Sequence, residues 1–373
     1  MDAATLKNSA TAGELERLKE EEARLAAMLA SIRKQKLSAL RSRPLNIGVI
    51  GFGRFGQFIG KSFTKYANVV GTSRSDYTQI ANDMGAKYIP LSNLESFVLD
   101  EDLDVIVVAV SIVSFEDTLK DLVPHLKKRI ETKGNCPLIT DVLSVKEHAR
   151  TMMLKHLPEE CDILCTHPMF GPDSAKHGWN GQKFVYERTR VDKVLLDPDI
   201  PRRDTAYRNL ADNDSDVDSE SGLFVDVQGV EHNMHENSES HVESMDRIER
   251  FLSIWEEEGC NMISMSCAHH DEYTANSQFI THLTGRILGA QGLSATPIDT
   301  KGFTNVLKLV ETTTADSFDL FYGLYKYNRN SMEIIVKLKE SMDDVVSKLP
   351  RRKGRVLILW IRNLACEYDV LSI

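Results

Sequence analysis

The chain of 373 residues is long enough for two domains with a sizeable core, and its composition is that of an ordinary globular protein. The formal net charge of -10 excludes the dominant basic surface of a nucleic-acid-binding protein, so we expect no nucleic-acid partner. Apolar runs such as DVIVVAV, at 104–110, are far shorter than the roughly 18 residues that span a bilayer. We therefore expect no membrane partner either.

Six cysteines lie at positions 136, 161, 165, 260, 267 and 366, and none forms a CxxC pair. This scatter predicts reduced, mostly buried thiols in a reducing compartment, with no bound metal. The N-terminus lacks the apolar core of a secretory signal, and its acidic run at 14–22 is unlike an acidic-poor transit peptide. A cytoplasmic location follows if no transit peptide exists.

Residues 12–40 are predicted to form one helix, because four leucines and Ile32 recur near helical spacing with Glu and Lys between them. A solvated or dimer-associated helix is favoured over a targeting or membrane-surface role. We assign the helix to an N-terminal extension that covers 1–44.

The pattern changes at residue 45, where apolar strands begin to alternate with helices. LNIGVIG precedes GRFGQFIGKSFTKY and ANVVGTS, and further buried strands are DVIVVAVS, PLITDVLS and DILCTHP. This alternation predicts a parallel sheet with helices on both faces. We expect the α/β domain to cover 45–191, with a helix and a strand at 245–267 completing it.

Residues 192–244 are rich in Asp, Ser, Asn and Glu, which predicts a disordered insertion. Aspartates at alternating positions from 212 to 216 are spaced like the first ligands of a calcium loop. Val217 stands at the required glycine and Leu223 at the chelating glutamate, so we expect no metal site.

The segment 268–350 is predicted to be helical, with breaks at GLSATP and near KLP. It would form a second, all-α domain after the α/β domain. The tail 351–373 is apolar after a basic patch, and no motif in it indicates a function.

Residues 51–56 read GFGRFG, directly after a predicted strand and at the start of a helix. In this context the three glycines predict a Rossmann dinucleotide site. Gly51 would permit the tight turn, Gly53 would let a pyrophosphate approach the backbone, and Gly56 would let the helix pack closely. The helix N-terminus would supply free N–H groups. The predicted contacts here and on the strand at 104–110 are Gly51, Gly53, Arg54, Phe55, Gly56 and Val110.

The end of the second strand selects the dinucleotide. An acidic residue there would bind the ribose 2′-hydroxyl and favour NAD, but this chain has Ser73, Arg74 and Ser75. A guanidinium flanked by hydroxyls suits a 2′-phosphate, so NADP is favoured. Asp76 lies slightly beyond the position at which the ribose-binding acid is expected. Its presence keeps NAD as the alternative.

Two predicted strands deliver polar residues to the carboxyl edge of the sheet, where such folds bind ligands. PLITDVLSVK ends with Ser144 and Lys146, and DILCTHPMFG ends with His167. Histidine titrates in the range needed to remove a hydroxyl proton while a hydride leaves carbon. We predict His167 as the base and Ser144 as the residue that orients it or holds the hydroxyl. The alternatives are that His167 is a structural histidine and that Ser144 is a simple helix cap.

Several ordered motifs resemble those of the plant and algal arogenate dehydrogenases, within the prephenate/arogenate dehydrogenase family of tyrosine biosynthesis. The resemblance covers roughly 45–190 and 246–347. Its motifs are LNIGVIGFGRFGQF, DVLSVK, CTHPMFGPDSAKHGW, SQFITH, TPIDTKGF and TADSFDLFYGLYKYN.

The resemblance implies an oxidative decarboxylation, in which hydride leaves the ring carbon that bears the 4-hydroxyl and the opposite carboxylate departs as CO₂. His167 matches the family's catalytic base and Ser144 its active-site serine. Family members dimerise through the helical region, with the active site in the interdomain cleft, and plant relatives work in plastids. We therefore expect a homodimer and a plastid location.

The family also suggests substrate contacts on the helical domain. His282 matches a family histidine near the substrate carboxylates, and Gln278 lies one helical turn before it. A core histidine is an equal alternative for His282. Arg286 and Lys301 are weaker candidates, for which exposed charges are favoured.

Prephenate carries a keto acid, whereas arogenate carries an ammonium. Prephenate-specific relatives bind the side-chain carboxylate with an arginine, where this chain has Thr312. Asp316 matches the acid of plant arogenate enzymes and would attract the ammonium. A helix N-cap is the alternative for Asp316. The family's usual glycine before that acid is Ala315 here, which affects the pocket shape.

The favoured function is an NADP-dependent arogenate dehydrogenase. Prephenate dehydrogenase is the nearest alternative, and Thr312 and Asp316 oppose it. A β-hydroxyacid dehydrogenase shares the layout, but that group uses a catalytic lysine on its helical domain and is not expected to contain THPMFGP. A non-catalytic NADP-binding sensor, with an acidic insertion that recruits partners, is the alternative of another class.

Overall fold

A computed structural model describes residues 3–196 and 239–349. The chain begins with a long helix, α1 (Ala3–Ser42), which extends beyond the predicted 12–40 at both ends. Its leucines at 15, 18, 25 and 29 are about half exposed. Lys36, near its C-terminal end, forms an ion pair with Glu256 of a later helix. The helix is therefore attached to the body of the protein mainly at that end.

The strands of these described ranges form one nine-stranded sheet, whose order is β3-β2-β1-β4-β5-β6-β7-β8, with β9 paired to β7. The central strand β4 is buried at every residue, because helices cover both faces of the sheet. The strands are β1 (Asn46–Ile50), β2 (Asn68–Thr72), β3 (Lys87–Tyr88), β4 (Val105–Val108), β5 (Leu138–Asp141), β6 (Ile163–Pro168), β7 (Lys183–Val191), β8 (Val194–Leu195) and β9 (Asn261–Ser264).

Strands β1 to β6 pair in parallel, as predicted. Strand β7 departs from the predicted parallel sheet, because it runs antiparallel to β6 and places Val185 opposite His167. A parallel return needs a crossover that is usually helical, and residues 169–182 form turns instead. The antiparallel partner holds the end of β6, which carries His167, firmly within the sheet.

Among the described residues, six helices cover the sheet: α2 (Arg54–Phe63), α3 (Thr78–Asp83), α4 (Leu94–Leu99), α5 (Ile112–Lys133), α6 (Lys146–His156) and α7 (Glu239–Glu257). Regular structure therefore enters the predicted insertion 192–244 at both ends, through β8 and the first turns of α7. The strand pairing of β8 and the amphipathic spacing of α7 account for this correction. Residues 197–238, which include the aspartates spaced like the ligands of a calcium loop, lie outside the described residues.

An all-helical region follows the α/β sheet, as predicted. It contains α8 (Cys267–Thr274), α9 (Ile280–Ala290), α10 (Lys301–Ala315), α11 (Phe318–Tyr327) and α12 (Ser331–Lys348), with a π-helical turn at Ala275–Phe279. Helix α11 packs closely on the start of α5, because a Cβ at Gly323 would lie 2.4 Å from Ile112 Cγ2. The predicted tail 351–373 lies outside the described residues.

A buried aromatic cluster anchors the loop that follows β6. Trp179, in that loop, stacks on Trp255 of α7 with ring centroids 4.7 Å apart. Phe184 of β7 also stacks on the Trp255 ring, with centroids 4.2 Å apart, and Phe63 of α2 contacts the Trp255 ring edge-on at 5.4 Å. Such contacts stabilise beyond simple area burial. The loop that follows β6 is therefore anchored in a cluster to which three separate elements contribute.

The expectation that the thiols are reduced is wrong for two cysteines. Cys136 and Cys161 form a disulfide, with Cα atoms 5.1 Å apart. They precede the adjacent strands β5 and β6, and parallel pairing brings these two strand starts together. Cys165, Cys260 and Cys267 are free and buried, as predicted, and Cys366 lies outside the described residues.

In the described part of the chain, no helix combines the length and apolar character required to cross a membrane.

Candidate active site

The turn between β1 and α2 has the shape of a phosphate cradle. Gly51 has a φ of +93°, and a Cβ there would lie 2.6 Å from the Ala109 carbonyl oxygen. A Cβ at Gly56 would lie 2.2 Å from the Gly51 carbonyl oxygen, so the helix start packs directly under the turn. A Cβ at Gly53 would meet no described atom within 4 Å. The open space above Gly53, at the N-terminus of α2, fits a pyrophosphate.

A cleft of about 960 Å³ extends from this turn past the ends of β2 and β4. Ser73, Arg74 and Ser75, which the sequence predicts at the adenosine end of a dinucleotide, line this cleft. The Tyr88 hydroxyl lies within hydrogen-bonding distance of the Ser73 carbonyl, at 3.1 Å, and of the Ser75 carbonyl. The strand β3 thus shapes the segment that presents Arg74 to the cleft.

Asp76, the alternative ribose ligand, is engaged with its own chain. Its Oδ1 accepts the backbone N–H of Thr78 at 2.9 Å and the Thr78 hydroxyl at 2.6 Å. These two hydrogen bonds lower the pKa of the Asp76 carboxyl. Asp76 therefore supports the start of α3, while Arg74 is the charged side chain of this segment that lines the cleft.

A second cleft, of about 690 Å³, lies between the ends of β4, β5 and β6 and the helices α9 to α11. The two clefts adjoin, because the same residues of the glycine turn and of the segment after β4 line both. The shared residues are Arg54, Phe55, Ala109, Val110 and Ser111. A dinucleotide in the first cleft would reach the second at this junction.

His167 lines the second cleft at the end of β6 and is 3% exposed. Its Nδ1 lies 2.8 Å from Nε2 of His270, and Nδ1 of His270 lies 2.8 Å from Oδ1 of Asp271. The three side chains therefore form a buried row. Because His270 occupies Nδ1, the Nε2 atom of His167 is the ring nitrogen available to a ligand in the cleft.

Burial and the nearby ammonium of Lys146 favour the neutral form of the His167 ring. Desolvation lowers the pKa of His167 well below its ordinary value of 6.5, and His270 and the Lys146 ammonium lower it further. Burial also lowers the pKa of His270, although the adjacent Asp271 carboxylate opposes the shift. At neutral pH the His167 ring is therefore able to accept a proton.

The carboxylate of Asp271 is fully buried and is satisfied by the start of α6. Its two oxygens accept the backbone N–H groups of Lys146, at 2.7 Å, and of Glu147, at 2.9 Å. The Lys146 ammonium itself pairs with the buried Asp141 carboxylate and donates to the Thr166 carbonyl. Such charged groups are tolerated in a core only when they are paired in this way.

Ser144 lines the same cleft, in the turn between β5 and α6. The role of Ser144 in orienting His167 stays a prediction, since the hydrogen bond that the structure shows for the His167 ring joins its Nδ1 to His270. The position of Ser144 on the cleft wall also suits the other predicted role, which is to hold a substrate hydroxyl.

Gln278, His282 and Asp316 line the cleft on the helical side. His282 Nε2 lies 3.8 Å from Asp316 Oδ2. In the described part of the chain, Gln278 Oε1 and His282 Nδ1 are buried without a hydrogen-bond partner. Leaving such atoms unpaired costs about 1–3 kcal/mol each, so this wall fits a polar ligand.

The alternative that Asp316 caps a helix is wrong. Ser317 caps α11, because its Oγ accepts the Leu320 backbone N–H at 3.2 Å. Asp316 follows the last residue of α10, with a partly exposed carboxylate on the cleft, and Ala315 lines the cleft beside it. The Asp316 carboxylate therefore remains available to a ligand.

Other candidates on the helical side lie away from the cleft. Thr312, predicted as a substrate contact, is exposed on α10, and its hydroxyl donates to the Lys308 carbonyl at 3.0 Å. Asp316 follows the end of α10 with an extended backbone, and it lines the cleft whereas Thr312 does not. Arg286 donates to the Asp316 carbonyl at 2.7 Å and shapes that turn, and Lys301 is exposed at the start of α10.

Sequence reasoning missed His270 and Asp271. A signal was present, since AHHDEY opens a helix capped by Ser266 with two adjacent histidines and an acid. Nothing in the local pattern distinguishes the buried His270 from its neighbour His269, whose Nδ1 lies 3.0 Å from the Ser266 hydroxyl. No group of three or more His, Cys, Asp and Glu side chains in the described ranges is arranged to hold a metal ion.

Residues 59–195 match a family model described as the prephenate dehydrogenase nucleotide-binding domain, and 287–358 match one described as a TYRAAT1-like C-terminal domain. Arogenate dehydrogenase 2, chloroplastic, of Arabidopsis thaliana is 38% identical over 310 residues, which are 83% of this chain and 71% of that protein. The chain belongs to the arogenate dehydrogenase family. Arogenate dehydrogenase 1, chloroplastic, of the same plant is 40% identical over 306 residues, which are 82% of this chain and 39% of that protein.

Membership of the arogenate dehydrogenase family confirms the resemblance inferred from the motifs and makes the protein an oxidoreductase. A solved prephenate dehydrogenase from A. aeolicus, in complex with hydroxyphenyl propionate and NAD⁺, has a TM-score of 0.54 and 14% identity. The match covers 87% of this chain and 96% of that chain. It confirms the predicted fold class, a Rossmann-like sheet followed by a helical region.

The glycine turn generates a paired prediction. Gly53→Ala should leave the melting temperature unchanged, because the new methyl group enters open space, but should weaken dinucleotide binding at least about tenfold. Gly56→Ala should lower stability by about 1–3 kcal/mol, because its Cβ meets backbone at 2.2 Å. Calorimetry and fluorescence titration with NADPH measure the two effects. Unchanged NADPH affinity in Gly53→Ala would contradict the assignment of the phosphate site.

Proposed function

We propose that this protein catalyses the NADP-dependent oxidative decarboxylation of L-arogenate to L-tyrosine. The observation that carries the proposal is one cleft in which a buried, neutral His167 faces Asp316, next to a dinucleotide cradle. Membership of the arogenate dehydrogenase family supports the substrate class. Arg74 and Asp316 carry the two specificity assignments.

Arg74 favours NADP over NAD. Its guanidinium lines the cofactor cleft between two serines, a setting that suits the forked contacts of a 2′-phosphate. The position of Asp76 further supports this choice, because its Oδ1 is bonded to Thr78 and the residue does not line the cofactor cleft. The bound nicotinamide would supply the hydride acceptor for the reaction.

His167 acts as the base in this proposal. Its Nε2 accepts the proton of the substrate 4-hydroxyl while that ring carbon loses its hydride. The carboxylate on the opposite ring carbon then leaves as CO₂, because its departure makes the ring aromatic. Ser144, on the same wall, holds the hydroxyl in place. A general base of this kind contributes about 10²–10⁴-fold to the rate.

Asp316 selects the substrate by charge. Its carboxylate attracts the ammonium group of arogenate and repels prephenate, which brings only negative charge. Gln278 and His282 contact the remaining polar groups, which would satisfy their unpaired buried atoms. Arg286 supports this wall from behind by holding the carbonyl of Asp316.

A second copy of the chain is proposed to cover the helical region. Met342, Val345 and Leu349, near the end of α12, are 67%, 61% and 63% exposed. Exposed apolar side chains in such number mark a contact surface.

The chloroplastic relatives further support a plastid location.

The reaction is tested by following NADPH or NADH formation with arogenate or prephenate and NADP or NAD. We expect a strong preference for arogenate with NADP, and we expect Asp316→Asn to lose the preference for arogenate. Asp319→Asn, a neighbouring acid on the same cleft, is the comparison variant that separates local charge from specific recognition. Preference for prephenate would contradict the role of Asp316. Intact NADP binding with no turnover of either substrate would favour the non-catalytic sensor.

The pH dependence follows from the lowered pKa of His167. Protonation removes the base, so kcat/KM should stay level as the pH falls through 6.5 and decline only at more acidic values. His167→Asn should lose about 10²–10⁴-fold in kcat. Steady-state rates over a pH series give the profile. An acidic limb centred above 6.5 would contradict a buried, neutral base.

The dimer surface is tested by charge insertion. The double variant Met342→Glu/Val345→Glu should be monomeric at micromolar concentration, because two carboxylates cannot be buried unpaired in an interface. Ser347→Glu, at an exposed polar position of the same helix, is the control. Light scattering coupled to gel filtration reports the mass. A monomeric parent protein would refute the proposed contact.

A further inference from the structure

The row formed by His167, His270 and Asp271 joins two distant parts of the chain. His167 lies on β6 and His270 on α8, 103 residues later, yet their ring nitrogens are 2.8 Å apart. All three side chains are at most 3% exposed. Water therefore does not compete for these hydrogen bonds, and each proton in the row has a defined place.

The proton positions follow from the end of the row. A carboxylate accepts hydrogen bonds, so the Nδ1 of His270 carries the proton that points to Asp271. In the neutral His270 ring the Nε2 is then an acceptor. It must receive its hydrogen bond from the Nδ1–H of His167. The neutral His167 ring consequently has its lone pair on Nε2, which is the nitrogen that serves the cleft.

We propose that His270 and Asp271 are positioning residues that hold His167 in the tautomer with an unprotonated Nε2 and stabilise the ring after it takes up a proton. The inference rests on the proposed function for the source of that proton, which is the substrate hydroxyl. The proton moves from the hydroxyl oxygen to Nε2, and the Nδ1–H bond to His270 remains. Asp271 then balances the new positive charge through the His270 ring.

The charged surroundings fit this assignment. The Lys146 ammonium disfavours positive charge on both histidines, and it is itself paired with Asp141. The carboxylates of Asp271 and Asp141 favour positive charge at His270. Asp271 is the carboxylate that is hydrogen-bonded to His270. It is therefore the group that stabilises a protonated His167 through the His270 ring.

The tautomer is tested first in the protein alone, without substrate or dinucleotide. Nitrogen-15 NMR of histidine-labelled protein distinguishes protonated from unprotonated ring nitrogens, and comparison with His167→Asn assigns the signals. We expect His167 with a protonated Nδ1 and an unprotonated Nε2 at neutral pH. The opposite tautomer would overturn the inference whatever the activity of the enzyme.

Variants of His270 separate positioning from packing. His270→Phe removes the acceptor but keeps a ring, and we expect kcat to fall on the order of 10²–10⁴-fold with little change in KM. In His270→Gln the side-chain carbonyl can accept the Nδ1–H of His167, so at least tenfold of the loss should return. His269→Gln, one residue earlier, is the matched control and should retain the parent kcat. Parent-like kcat in His270→Phe would overturn the inference.

Asp271→Asn tests the charge. Loss of the carboxylate disfavours a protonated His167, so the acidic limb of kcat/KM should move to lower pH while kcat falls. Binding of NADPH, measured by fluorescence, shows that a variant has folded. An unmoved limb in a folded variant would contradict the role of Asp271.

The proposed substrate and the positioning role of His270 and Asp271 can be refuted separately. Inactivity of the parent enzyme toward arogenate, with the expected tautomer in the NMR spectrum, would remove the proposed substrate and leave the row of side chains as assigned. An active parent enzyme with the opposite tautomer would remove only the positioning role.

Discussion

The buried carboxylate of Asp271 is the interaction on which the site depends. It accepts two backbone N–H groups at the start of α6, and its neighbour His270 reaches the end of β6. The backbone carbonyl of the same residue accepts a hydrogen bond from Asn328, at 2.7 Å, just after α11. One residue thus links the α/β sheet to the helical region. The two sides of the cleft are therefore joined at this buried residue.

In the proposed function, the chemistry is divided between the two sides of that cleft. The sheet side presents the buried His167, together with Ser144, from the ends of neighbouring strands. The helical side presents Asp316 and His282, whose carboxylate and ring are 3.8 Å apart and less deeply buried. Proton transfer benefits from a low-dielectric setting, whereas recognition of an ammonium group needs a carboxylate that stays ionised. Separate elements allow the two settings to coexist within one cavity.

Local motifs were sufficient to predict the parts of the site that are contiguous in sequence. The glycine turn, Arg74 and His167 all follow strands whose apolar patterns are easily recognised, and the turn geometry depends on neighbouring residues. His270 was not predictable, because its partner lies 103 residues away and helix orientation decides which of two adjacent histidines faces inward. Thr312 does not line the cleft for the same reason, because packing decides which face of α10 meets the cleft.

Pairing between distant segments accounts for the other differences. The antiparallel strand β7 depends on the absence of a helical crossover in 169–182, and the disulfide depends on the spatial neighbourhood of two strand starts. Composition and spacing do not encode either relation. Both become apparent only when the order of strands in the sheet is known.

The shared wall between the two clefts has a consequence for binding. Arg54, Phe55 and Val110 line both cavities, so a molecule in one cavity would contact residues that also form the surface of the other. If these contacts change the affinity of one cavity for its ligand, linkage requires the same factor in the other direction. Small adjustments in the glycine turn would then be felt as changes in substrate affinity, although the turn lies on the dinucleotide side.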